Sequence, residues 1–247
     1  MATSLIRTSA ALPSVLVLIG LLAGCSGKSA SGSYASGKAA PALPPPATAE
    51  ELADRVMAAA GADQWRHVSR IQFDFVVVRN GKEALRAAHD WDVRRNTNVV
   101  SWNGKSVSID LSSTPTDADS KAAFARWTND TYWLLAPLKL RDGGTRLELL
   151  EPISYGSDFV DRLRISFDGV GLTPGDVYTW YIDRSTHRPI AWDFQPNPAR
   201  TVRFSWDDYV TTSGLTLSTR HFAGPTEIRI ENLTVINDQA KELSKTR

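Results

Sequence analysis

The densest concentration of chemistry-bearing side chains is His89-Asp90-Trp91-Asp92. Imidazole and carboxylates this close are the raw material of a metal site or of an acid/base pair. The surrounding residues alternate as in a strand, which puts His89 and Trp91 on one side and Asp90 and Asp92 on the other. That separation is poor geometry for a shared ion, so the cluster is expected to be a structural rim. His67, His187 and His221 have no ligand-type neighbours at metal spacing, and His187 falls in a polar turn over 183–188. Asp207 and Asp208 are adjacent on a strand and point apart. The run Gly169-Val170-Gly171-Leu172-Thr173-Pro174-Gly175 has the wrong spacing for a dinucleotide fingerprint, and Pro174 and Gly175 oppose the helix that such a site needs. No nucleophile elbow, Walker loop or zinc-type histidine pair is present. The chain is therefore expected to be no enzyme and to need no metal and no cofactor.

Cys25 is a different matter. It is the only cysteine, and it ends the run Leu22-Ala23-Gly24-Cys25, which looks like the lipobox where lipoprotein precursors are acylated and then cut. Arg7 and the apolar residues 15–22 before it have the layout of a secretory signal, too short to span a bilayer. A lone cysteine in an exported chain is explained more simply by thioether modification than by a leftover thiol. Buried acyl carbons contribute about 0.8 kcal/mol each, and stable anchoring takes more than one chain, as a triacylated cysteine provides. Ser26 follows, rather than the aspartate associated with inner-membrane retention in enterobacterial lipoproteins. The expected address is thus the outer membrane, facing the periplasm.

Without the signal the chain loses Arg7 from its 28 Lys+Arg and nothing from its 27 Asp+Glu, so its formal charge is zero. Nucleic acid is not an expected partner. Residues 1–24 are read as the signal, 25–47 as the lipidated cysteine with a Ser/Gly/Ala/Pro tether, 48–237 as one folded domain, and 238–247 as a polar tail. Thr48-Ala49-Glu50-Glu51 is a capping-box pattern, Leu52, Val56, Met57 and Ala60 follow at helical spacing, and Gly61 is a natural stop. The period then changes to two. Ile71, Phe73, Phe75 and Val77 alternate with their neighbours, and Asn80-Gly81 and Asn103-Gly104 signal hairpins. A helical insertion over 113–140 begins at Thr116-Asp117, carries Ala122, Ala123, Phe124 and Trp127, and closes with Tyr132-Trp133-Leu134-Leu135 before Pro137. Strands resume at 146–150, 162–167, 177–183, 189–194, 202–209, 215–222 and 227–235. The fold class is mainly β with a few helices, about eleven antiparallel strands in one strongly curved sheet or barrel, because curling limits exposed edges.

Lipobox, tether, amphipathic helix, meander, helical insertion and further antiparallel strands together resemble the LolA/LolB-like lipoprotein-carrier superfamily. The stretches Asn-Asp-Thr-Tyr-Trp-Leu-Leu-Ala-Pro at 129–137 and Val-Gly-Leu-Thr-Pro-Gly-Asp-Val-Tyr at 170–178 look like segments of envelope lipoproteins with that fold. The resemblance covers roughly 48–237 and implies an unclosed β half-barrel whose hydrophobic concavity is lidded by helices and holds acyl chains. No functional residue of the family is carried over onto this chain. The candidate lid residues are Val56, Met57, Tyr132, Trp133, Leu134 and Leu135. The candidate concave-face residues are Phe73, Phe75, Trp91, Trp102, Phe167, Trp180, Trp192, Phe194, Phe204 and Trp206. With short lids the space between is expected to stay partly open to a lipid, an acyl chain or a lipoprotein. The competing expectations are an interaction or sensor scaffold whose half-barrel is filled by its own side chains, and, third, an envelope enzyme.

Overall fold

The computed structural model describes residues 44–156 and 158–238. The signal segment, Cys25, most of the tether and the tail beyond residue 238 lie outside the described residues.

Helix α1, Ala49–Ala59, starts as its sequence dictates: the Thr48 hydroxyl accepts from the Glu51 N–H at 3.1 Å. The reciprocal half of the box is displaced by one residue, the Glu51 carboxylate accepting from the N–H of Ala47 at 2.8 Å. The helix ends at Gly61, which takes φ +84, and a Cβ there would stand 2.1 Å from the Gly214 carbonyl oxygen. Leu52, Ala53 and Val56 form its buried face. A 3-10 turn, Ala62–His67, leads into the sheets.

The strands are β1 (Val68–Arg79), β2 (Lys82–Asp92), β3 (Thr97–Trp102), β4 (Lys105–Asp110), β5 (Thr145–Tyr155), β6 (Asp158–Phe167), β7 (Val177–Asp183), β8 (Pro189–Asn197), β9 (Arg200–Ser205), β10 (Asp207–Thr212), β11 (Leu215–Ala223) and β12 (Thr226–Asn237). Helix α2, Ala118–Leu135, and a short turn, Ala136–Leu138, separate β4 from β5. Seven strands form one antiparallel sheet in the order β10-β11-β12-β1-β2-β3-β4, and five form another in the order β5-β6-β7-β8-β9. Alternation on β1 sends Ile71, Phe73 and Phe75 inward, 0%, 1% and 3% exposed. On the outer side Arg86 joins Asp74, Glu83 and Glu231, and Arg70 pairs with Asp90.

The mainly-β, unclosed architecture holds, with two corrections. The strands lie in two sheets rather than one, and the run 202–209 is two strands rather than one. It breaks at Trp206, whose N–H donates to the Ile190 carbonyl at 2.8 Å, while Asp208 takes φ +49. The break lets β9 end one sheet and β10 begin the other, so the two join at this corner, where the Phe222 N–H of β11 donates to Ser205 Oγ at 3.0 Å. A period-two pattern that runs straight through a corner conceals it. Elsewhere β4 and β5 are both edge strands among the described residues. Helix α2 packs on β3, β4 and β11, and α1 on β5, β6 and the 136–138 turn.

Candidate functional site

The concave face and the helix covering it form the candidate site. Asp117 caps α2, accepting from the Ser120 N–H at 2.9 Å, and the helix runs unbroken through the apolar stretch, so the insertion is one helix of 18 residues. Trp127, Trp133, Leu134 and Leu135 are buried. Near the N-terminal half, Trp127 meets Trp91 edge-on at 5.3 Å. Further along, Tyr132 stacks on Trp192 at 5.8 Å. Trp133 enters a box of rings at 4.8 Å from Trp192, 4.8 Å from Phe204 and 5.2 Å from His221.

The expected partly open space is therefore not observed: α2 occupies it. Trp180, Trp192 and Trp206 behind it are almost fully buried. Two shallow depressions among the described residues lie elsewhere. One of about 160 Å³ sits beside the start of α2 at Ser108, Asp110, Asp117 and Ser120, and one of about 360 Å³ involves Arg220, Arg229 and Glu231 of β11 and β12. The physical reason is what α2 carries: Trp127, Tyr132 and Trp133 reach the rings of Trp91, Trp192 and Phe204 and take up the space a guest would need.

Nearly all the residues singled out from the sequence meet in one place. Val56, Phe73, Phe75, Trp91, Trp133, Leu134, Leu135, Trp180, Trp192, Phe204 and Trp206 belong to a single buried core, against which Met57, Trp102, Tyr132 and Phe167 pack half-buried. Phe194 joins through Tyr178, stacked on it at 5.1 Å. Trp102 lies toward the margin, with the Arg126 guanidinium over its ring at 5.7 Å.

Sequence reasoning missed the polar members of the site. His89 is not a rim residue: its ring is buried, stacked on Phe73 at 4.7 Å, and its Nε2 lies 3.0 Å from Asp130 Oδ2 of α2, with both side chains 1% exposed or less. Asn98 Nδ2 approaches His89 Nδ1 at 3.2 Å, and the Asn129 amide donates to the other Asp130 oxygen at 2.8 Å. A buried carboxylate on α2 thus ties the helix to β2 and β3. His221 is also wholly buried. Burial pushes its pKa down to about 3, against the smaller opposing effect of the Ser205 and Trp133 carbonyls. The signal for His221 was its register with Leu215 and Leu217 on β11; for the His89–Asp130 pair there was none. Tyr132 and Tyr178 are held far above the ordinary phenol range, chiefly by desolvation, so both stay neutral. Among the described residues no group of three or more His, Cys, Asp or Glu could hold a metal.

No family model matches the sequence, and no curated protein does. Solved structures that are similar include a DUF1329 family protein from Desulfovibrio piger, 12% identical over 81% of this chain and 99% of that one, with a TM-score of 0.46. A LolA superfamily protein from Nitrosomonas europaea is 10% identical over 78% of this chain and 95% of that one, with a TM-score of 0.48. The lipoprotein LppX from Mycobacterium tuberculosis is 9% identical over 73% of this chain and 94% of that one, with a TM-score of 0.24. Each is a distant likeness of backbone path, and the functional reading rests on the chain's own geometry.

Proposed function

We propose that the protein is an envelope lipoprotein, anchored through acyl groups on Cys25, that binds a hydrophobic guest such as a lipid, an acyl chain or a lipoprotein's acyl moiety by exchanging it for helix α2. The observation that carries this reading is a continuous aromatic concave face covered by a helix rather than by a second sheet. A helix can leave without breaking a β-ladder; a sheet cannot. Withdrawing Trp127, Trp133, Leu134 and Leu135 costs roughly 1.5–3 kcal/mol for each side chain, while a sixteen-carbon chain returns about 0.8 kcal/mol per methylene. These two apolar contributions are each on the order of 10 kcal/mol and oppose one another, and release of the helix must also break the buried His89–Asp130 contact. The reading uses no catalytic step: in the closed protein the His89–Asp130 pair is buried between α2 and the sheet.

A second reading, a scaffold for a protein partner with its half-barrel permanently filled, is favoured by the closed interior. One experiment separates them. The chain from residue 25, carrying Cys25→Ser so that no lipid of its own competes, is titrated with a fluorescent fatty acid and examined by native mass spectrometry. Saturable one-to-one binding supports guest exchange. A chain that stays folded, carries no lipid and takes up none supports the scaffold.

A further inference from the structure

Behind Trp133 the concave face holds polar atoms that the closed protein leaves unanswered. Trp180, Trp192 and Trp206 are 0%, 1% and 1% exposed, and the indole N–H of each has no hydrogen-bond partner among the described residues. Their rings form one cluster with centroids 4.9–5.9 Å apart, and His221 stands edge-on to Trp206 at 4.7 Å. His221 Nδ1 lies 3.2 Å from the Ser205 carbonyl oxygen. A carbonyl only accepts, so this contact is a hydrogen bond in the tautomer that carries its proton on Nδ1, and burial disfavours the charged ring. In that tautomer Nε2 is an acceptor, and it has no hydrogen-bond partner among the described residues. The carbonyl of Trp133, which also acts on this ring, is itself an acceptor and does not answer it.

Buried donors and acceptors without partners carry the full cost of their lost hydration, and contacts of N–H with ring faces recover only part of it. A guest made of hydrocarbon alone leaves that cost in place. A guest with a carbonyl oxygen answers the indoles, and one that also carries an N–H answers Nε2. An ester supplies only the first, and an ionised carboxylate must in addition give up its own strong hydration.

We propose that the concave site prefers a neutral amide-headed acyl compound, its chain replacing Trp133 and its amide group hydrogen-bonded among Trp180, Trp192, Trp206 and His221. This rests on the guest-exchange reading and specifies the head group. The test uses the Cys25→Ser chain from residue 25 and displacement of a fluorescent fatty acid by dodecanamide, methyl dodecanoate and dodecane. Each dissociation constant is referred to that compound's own partition from water into hexadecane, a solvent with no polar groups. The expected result is a preference for the amide over the alkane of about tenfold beyond partition, with the ester between. His221→Phe is expected to reduce the amide-over-ester preference, and Trp206→Phe the amide-over-alkane preference, so one variant serves if the other does not fold. Three compounds that bind in proportion to partition alone overturn the head-group inference and leave guest exchange standing. If none of them binds, and the fatty acid does not either, both fall.

Discussion

A histidine sealed among tryptophans has a measurable consequence for stability. The unfolded chain binds a proton at His221 below about pH 6.5, whereas the native imidazole resists protonation down to about 3. Stability present above the unfolded value is therefore lost as the pH falls toward the folded one, by about 2 kcal/mol between pH 7 and pH 5. His187 is shifted in the same direction, chiefly by burial, and adds loss of the same sign, so the diagnostic comparison is with His221→Phe. Urea denaturation at the two pH values should show the variant losing about 2 kcal/mol less than the parent; equal losses would contradict the buried neutral imidazole. The His89–Asp130 contact makes a second residue-scale prediction. Asp130→Ala strips a buried pair of one partner and should cost about 3 kcal/mol, while Asp130→Asn keeps the shape and a hydrogen bond and should cost less. A denaturation midpoint unchanged by the alanine would remove the tie between α2 and the sheet. The burial of His221 was legible only through its register with Leu215 and Leu217, and the His89–Asp130 pair was not legible in the sequence. Strand alternation correctly put His89 and Asp90 on opposite sides, but the partner of His89 lies 41 positions away on another element.

At the scale of elements, local chemistry was legible wherever it is local. The Thr48 cap, the Gly61 stop and the two Asn-Gly hairpins follow from side chains acting on their own backbone, and both asparagines and both glycines of those hairpins take the positive φ that such turns demand. The strand ends at 205–207 were not legible, because the corner at Trp206 is set by contacts with β8 and β11 that no spacing reveals. Nor was it legible that α2 would lie inside the concavity rather than over its mouth. Gly61 gives the element-scale prediction. Gly61→Ala must push against the Gly214 carbonyl, besides holding an alanine at positive φ, and should cost at least about 2 kcal/mol. Gly81→Ala has no atom within 4 Å of its new Cβ and should cost about 1 kcal/mol, for its φ alone. A thermal melt ranking the two in the opposite order would show that the α1 end and the β10–β11 turn do not meet as described.

For the whole molecule, anchoring and binding make separable demands. If Cys25 is the acylated residue, cells grown with labelled palmitate should incorporate label into the parent chain and not into Cys25→Ser, and the variant should leave the membrane fraction for the soluble one. Persistent labelling of the variant would end the lipoprotein assignment while leaving the concave site untouched. Guest exchange makes its own demand, that the helix and not the sheets must yield, because the strands carry the hydrogen-bonded ladders and α2 is fastened chiefly by packing and by one buried pair. Hydrogen exchange on the Cys25→Ser chain, with and without a saturating fatty acid, reads this directly. The expected result is that amides of residues 118–135 exchange faster in the filled protein while those of β1, β2, β7 and β8 keep their protection. Undiminished protection along α2 with the fatty acid bound would contradict the exchange of helix for guest.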